Sequence, residues 1–229
     1  GGTTENASLN GGGTDRLIIA GVSSNDSSLR TLSYMTIASE SVVGIFNQGV
    51  DGGRSGFYGF GHILDTNNPG AGGVTMVPSW SGSVAASVYS IIELEGVNQT
   101  TPLGTTVSNT GTGVSDGGTV SVTLGGHSGG FAIVFISSGS TISNDGSGGH
   151  GLPAGATEIG EWAYIGTRVK FGYISSVASS SEQFDFTASI NGVDNIDSVV
   201  VGAIPINAVG GGGVSIPAVV NHLKNMGNY

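Results

Sequence analysis

The chain has 229 residues, with 16 acidic against six basic side chains and a formal charge of −10, so it has no cationic patch to neutralise a row of phosphates. That balance argues against nucleic acid and anionic membrane surfaces as partners, and no apolar run approaches the roughly 20 residues of a membrane-spanning helix, so no membrane insertion is expected. The 43 glycines follow no three-residue period, which excludes collagen, and the absence of cysteine excludes disulfides and thiolate metal sites.

Apolar residues make up 38% of the chain and charged ones only 10%, so the balance is Gly, Ser, Thr and Asn, which suits short strands separated by turns. Residues 1–14 form a polar, Gly-rich arm, and one β-sandwich domain is expected over 15–208. The start at Gly1 points to a removed leader or a trimmed numbering. Asn6, Asn25 and Asn98 begin N-x-S/T triplets, which chance alone supplies in so Asn- and Ser-rich a chain.

The first strand is Arg16 to Val22, apolar on both faces as in a central strand, and it stops at Ser23-Ser-Asn-Asp26. Thr31 to Ala38, Val42 to Phe46 and Gly56 to Leu64 follow, and Asp65-Thr-Asn-Asn-Pro-Gly70 carries turn chemistry. Within Val84 to Glu95, Val84, Ala86, Val88, Ile92 and Leu94 share one parity, while Ser87, Tyr89, Glu93 and Glu95 share the other, predicting a buried face and a largely wet one. Val120, Val122 and Leu124 alternate with Thr119, Ser121 and Thr123, and Phe131 to Ile136 is apolar throughout, which makes Gly125 to Gly130 a hairpin connection. Phe184 to Ile190 alternates again, and Ser198 to Ile206 reads as central. About ten such strands predict an all-β fold of two packed antiparallel sheets, jelly-roll-like in topology. Beyond them, a Gly210 to Gly213 joint opens a tail over 209–229 in which Pro217 to Met226 is expected to form a short helix. That helix would carry Val219, Val220, Leu223 and Met226 on one side, as an attachment stripe for a partner subunit or for its own sandwich.

Two motifs imitate catalytic ones. Gly126-His-Ser-Gly-Gly130 satisfies G-x-S-x-G, but a nucleophile elbow runs from strand through a sharp turn into a helix, and here a strand follows Ser128. Gly146-Ser-Gly-Gly-His-Gly151 satisfies G-x-G-x-x-G without the helix N-terminus that would hold a pyrophosphate. His62, His127, His150 and His222 lack zinc-ligand spacing and read as solvated loop residues, so no catalytic residue and no cofactor is assigned. Calcium is the one metal the oxygen-rich loops would suit, with Asp65 and Asn67 in one and Asp194 and Asp197 in another, although such residues are equally at home in plain turns. Trp80, Trp162 and Tyr58 are the candidate rings for a sugar-binding platform, against core or edge packing as the plainer role.

Asp15-Arg-Leu-Ile-Ile-Ala-Gly-Val22, Pro69-Gly-Ala-Gly-Gly-Val-Thr75, Ser81 to Tyr89 and Gly96-Val-Asn-Gln-Thr-Thr-Pro-Leu103 together resemble an uncharacterised lectin-like or jelly-roll β-sandwich domain of phage structural proteins and bacterial secreted proteins. The resemblance spans about residues 14–207 and is specific over Pro69 to Leu103. Asn98 stands where that pattern has Asp, and the tail after Ala208 has no counterpart. It implies an exterior location and supplies no catalytic residues. The expectation is a non-enzymatic, homo-oligomeric component of a virion or extracellular surface, such as a capsid decoration, a tail-fibre module or a filament subunit. A secreted carbohydrate-binding module, with or without calcium, is the alternative.

Overall fold

A computed structural model describes residues 5–9, 11, 13–50, 55–67, 70–140, 149–164, 166–190, 194–210, 213–216 and 226–227. The first half of the chain supplies β1 (Glu5–Leu9), β2 (Leu17–Asp26), β3 (Leu32–Ile37), β4 (Glu40–Ser41), β5 (Val43–Val50), β6 (Ser55–Leu64), β7 (Gly72–Trp80) and β8 (Ala86–Leu94). The second supplies β9 (Val107–Ser115), β10 (Gly118–Gly125), β11 (Phe131–Gly139), β12 (Thr157–Tyr164), β13 (Thr167–Ile174), β14 (Ser181–Ala188) and β15 (Asn195–Ile206), and β16 (Met226–Gly227) closes the list. All pairings are antiparallel.

The all-β sandwich class holds, but the sheets number four rather than two. In strand order they are β1-β7-β3-β4, β16-β8-β2-β6-β5, β12-β13-β11-β15-β9 and β10-β14. Three separate apolar cores lie between them, so the sheets are stacked as layers. Leu9, Met35, Val74 and Trp80 face Ile18, Val22 and Tyr89 in the first core. Leu17, Ile19, Val88 and Ile92 face Ile133, Phe135, Phe171 and Ile204 in the middle one. Ala132, Val134 and Val201 face Val122, Leu124, Phe184 and Phe186 in the third. The inner sheets are therefore covered on both faces, which is why every residue of β2 and β11 is buried.

This layering corrects several sequence expectations. The second parity of the Val84 to Glu95 strand is not wet, because Ser87, Tyr89, Ile91 and Glu93 are all at most 1% exposed beneath the outer sheet. Residues 5–9 are no free arm: β1 pairs with β7 and buries Leu9. The Gly125 to Gly130 connection is not a hairpin within one sheet, since β10 and β11 belong to different layers. Asn25 is buried in β2, out of reach of a glycan, and His62 and His150 are buried rather than solvated. Of the tail expected to be helical, Val219, Val220 and Leu223 lie outside the described residues, and Met226 sits in the two-residue strand β16 on the edge of β8.

The two inner sheets are copies of one plan. β8-β2-β6-β5 has the same connectivity as β15-β11-β13-β12, and β1 pairs with β7 as β10 pairs with β14. The registers bring Leu17 into equivalence with Phe131, and Ile92 with Ile204. They also align Phe60-Gly-His-Ile63 with Phe171-Gly-Tyr-Ile174. A bulge recurs at the same point, between Gly44 and Phe46 in β5 and between Glu158 and Gly160 in β12, and the inserted residue is Ile in both. In the first half β3 and β4 extend the outer sheet; among the described residues of the second half the matching contact is the bridge from Gly151 to Thr187.

The halves face one another as subunits of a two-fold dimer would, like surface on like surface. Near the pseudo-dyad the equivalent serines Ser23 and Ser137 share a hydrogen bond, Oγ to Oγ at 2.7 Å, inside the protein. Ser23→Ala or Ser137→Ala alone strands the other hydroxyl and should cost about 1–3 kcal/mol, whereas the double substitution should cost less than the sum of the two. Urea unfolding of the four proteins of that cycle measures the coupling.

Candidate functional site

The two halves are joined by residues 95–106, which cross the end of the stack where β2 and β11 begin. On the first half this end is locked by ions. Arg16 donates from Nε to Asp65 Oδ1 at 2.8 Å and lies 3.4 Å from Glu93 Oε1, with its side chain 10% exposed and that of Glu93 fully buried. Gln99 completes the lock, accepting the Asp65 backbone N–H and donating to the carbonyls of Arg16 and Val97. Asn98 Oδ1 accepts the N–H groups of Thr100 and Thr101 and so turns the linker. Arg16 and the Gly96 to Leu103 stretch are thus the parts of a structural staple.

The second half has no such lock. The positions equivalent to Arg16 and Glu93 are Gly130 and Pro205. In place of the ionic cluster is a cleft of about 420 Å³, lined among others by His127, Ser128, Gly130, Ser175, Asn207 and Val214. Its polar groups are hydroxyl, amide, imidazole and main-chain groups, with no carboxylate, ammonium or guanidinium among the lining residues. His127 Nε2 is 2.8 Å from the Phe131 carbonyl, so this nitrogen carries the proton and donates. Asn207 Nδ2 donates to the Thr101 carbonyl. Phe131, which lines the cleft, is stacked on Tyr173 with ring centroids 5.4 Å apart. Ser128 lies in the crossing from β10 to β11, which has strands on both sides and no helix, so the elbow that a serine nucleophile needs is not formed.

A second polar cluster occupies the opposite end and was not foreseen from the sequence. Ser138 Oγ and His150 Nε2 are 2.8 Å apart, which invites comparison with a nucleophile and its base. The wiring is reversed. His150 Nδ1 accepts the backbone N–H of Ser189 at 3.1 Å, so in the neutral ring Nε2 bears the proton and donates to Ser138. Burial, reinforced by the positive charges of Arg168 and Lys170, pushes the His150 pKa down to about 3. The ring is a neutral donor, not a proton acceptor. Glu161 binds the cluster together, accepting from the His150 backbone N–H at 2.7 Å and from Arg168 at 3.2 Å and pairing with Lys170 at 3.3 Å. Burial lowers the Lys170 pKa, but the hydrogen bond and charge of Glu158 and the charge of Glu161 outweigh it, and the net shift is upward. The signal for this cluster was the pairing of two scarce basic residues, Arg168 and Lys170, with Glu158 and Glu161 on neighbouring strands.

The residues singled out beforehand are scattered. Trp80 is buried in the first core and Trp162 packs at the margin of the middle one, tilted against Phe171 at 6.2 Å. They form no common platform, and the side chain of Tyr58 lies outside the described residues. Asp65 is held by Arg16 at the linker end, while exposed Asp194 and half-buried Asp197 open β15 at the other. The side chain of Asn67 lies outside the described residues, and among those described no three His, Asp or Glu groups converge as a metal site. No helix among the described residues is long and apolar enough to cross a membrane. No protein-family model matches the chain, and no curated protein matches it significantly.

Arg16→Met should cost about 3–5 kcal/mol by taking an ion-pair partner from the buried Glu93, and Arg16→Met with Glu93→Met should recover most of that in urea unfolding. His150 gives a pH test. Its folded pKa lies below the unfolded value near 6.5, so the unfolded chain binds the extra proton and stability falls as pH drops from about 6.5 towards 3. The loss should be on the order of a few kcal/mol, and His150→Gln should flatten the melting temperature over that window.

Proposed function

We propose that this protein is a non-enzymatic structural subunit of a surface assembly, virion or extracellular, of the capsid-decoration, tail-fibre or filament kind. The observation that carries the reading is the fusion of two equivalent sandwiches, face to face, into one four-layer body with a continuous middle core. Such a body resists bending, because neither half can shift without breaking close packing along the length of β2 and β11. Ion-paired staples close both ends, and the outermost sheet carries mostly hydroxyl and amide side chains outward, with the carboxylate of Asp185 among them. Thr119, Ser121 and Thr123 face Thr187, Asp185 and Gln183 across β10 and β14. An exterior location accords with the resemblance.

A second reading, a carbohydrate-binding module, is favoured by the cleft at the linker end. Hydroxyl and amide groups beside the Phe131 ring, with no carboxylate, ammonium or guanidinium in the lining, suit an uncharged polyhydroxylated ligand.

Electron microscopy of the native source, with light scattering of the purified chain, tests the structural reading, and particles or filaments bearing the protein are the expected result. A chain that stays monomeric and unattached would reject it. Ser128→Ala should leave any hydrolytic background unchanged, and labelling of Ser128 by a serine-reactive covalent probe would overturn the non-enzymatic assignment. A glycan array run in calcium and in chelator decides the second reading: specific binding that is lost on Asn207→Ala and Ser175→Ala supports it, and a blank array removes it.

A further inference from the structure

The two halves also differ at a second pair of equivalent places. In the second half, Lys170 on β13 pairs with Glu158 at 3.0 Å and with Glu161 at 3.3 Å on β12, so charges occupy that place. The registers make Gly44, Asn47 and Gly59 the first-half equivalents of Glu158, Glu161 and Lys170. Two glycines and an amide thus stand where the twin has three charges, and a pocket of about 130 Å³ opens beside Gly44 and Asn47.

Leu32, Met35 and Val42 wall this pocket, with the bare backbone of Gly44 and Gly61 beside them, and no carboxylate, ammonium or guanidinium lines it. Tyr34 stands at the pocket with 63% of its surface exposed, the most exposed large apolar side chain among the described residues. Leu32 and Met35, three apart, are both buried because β3 slips by one residue at Ser33, and the slip leaves Ser33 and Tyr34 together on the outside. Among the described residues no side-chain hydrogen bond engages the Ser33 hydroxyl or the Asn47 amide. A Cβ on Gly61 would run into Val42 Cγ1, whereas a Cβ on Gly44 meets nothing within 4 Å, so the space over Gly44 is open.

We propose that this pocket is a saccharide site, in which the Tyr34 ring takes the apolar face of one neutral sugar residue while the Ser33 hydroxyl and the Asn47 amide bind its hydroxyl or acylamino groups. A flat exposed ring beside unengaged neutral donors and acceptors matches a ligand that is apolar on one face and polar at its rim. An apolar peptide side chain would cover the two polar groups and give them no partner. The volume is below the roughly 300–1,000 Å³ of pockets that enclose a whole ligand, so the site grips one sugar residue and leaves the rest of a glycan in water. Sixteen acidic side chains against six basic ones set the field around it against sialylated and other acidic sugars. This site lies beyond the structural-subunit reading, and it shares a ligand class, but no residue, with the cleft at the linker end.

Amide spectra of the full-length chain, titrated separately with neutral hexoses, neutral N-acetylhexosamines, sialic acid and a short apolar peptide, test the site. The result expected is a set of shifts confined to Ser33 to Met35, Gly44 and Asn47 with at least one neutral sugar, saturating in the millimolar range that so small a contact allows, and none with sialic acid. Gly44→Glu puts the twin's residue into open space and should abolish the shifts, and Tyr34→Ala should weaken binding about tenfold, with the melting temperature of both proteins unchanged. No response of these amides to any neutral sugar, an equal response to sialic acid, a response to the peptide alone, or shifts that survive Gly44→Glu overturns the proposal. Shifts at His127 and Asn207 instead defeat this site and leave the carbohydrate reading of the cleft standing. The structural-subunit reading is decided by microscopy and light scattering, independently of these spectra.

Discussion

Everything in this molecule depends on two sheets that must be covered on both faces. Leu17 and Ile19 point into the middle core while Ile18 and Ala20 point into the first, and Ile133 and Phe135 alternate in the same way with Ala132 and Val134. No residue of β2 or β11 is left for solvent. A strand of that composition is stable only in the interior of a stack, so the outer sheets β1-β7-β3-β4 and β10-β14 are obligatory covers, and the polar groups of the inner strands must be satisfied inside. Ser23 does so against Ser137, Asn25 against the Ser140 carbonyl, and Ser138 against His150.

The ends of the stack follow from the same constraint. Where inner strands emerge, their last polar side chains are desolvated by the neighbouring layers and must find partners. The two ends solve this with different chemistry, Arg16 with Asp65 and Glu93 at one, and Glu161 with Arg168, Lys170 and the His150 backbone at the other. Pairs of this kind add little net stability compared with apolar packing, but breaking one partner is costly. They fix which loop sits on which strand end.

Much of the strand pattern was legible in the sequence, because alternation in Val120 to Leu124 and Phe184 to Ile190 and the unbroken apolar runs of β2, β11 and β15 have a direct physical reading. What alternation does not report is what covers a face. Tyr89 and Glu93 look like solvent-side residues by type, and only the presence of a second sheet beyond them makes them interior. β12 and β13 escaped notice since Glu158, Glu161, Arg168 and Lys170 break the apolar pattern with charges that neutralise one another across the hairpin. The repeat was hidden for a similar reason. Backbone pairing is shared between the halves, but side chains have diverged at most equivalent positions, leaving Phe-Gly-x-Ile and the bulge isoleucine as the visible traces. The candidate site was less legible still: His127 and Ser128 are far from Asn207 in the chain, and the cleft they line lies where Gly130 and Pro205 stand in for Arg16 and Glu93.

The shared bulge has a consequence of its own. An extra residue at Ile45 and again at Ile159 increases the local twist of β5 and β12, the strands at the far margin of each inner sheet, and interrupts the regular spacing of their outward main-chain groups. A twisted, interrupted margin is a poor surface for sheet-to-sheet accretion. The same margin of each inner sheet is thus guarded against the addition of a further strand by backbone geometry rather than by charge.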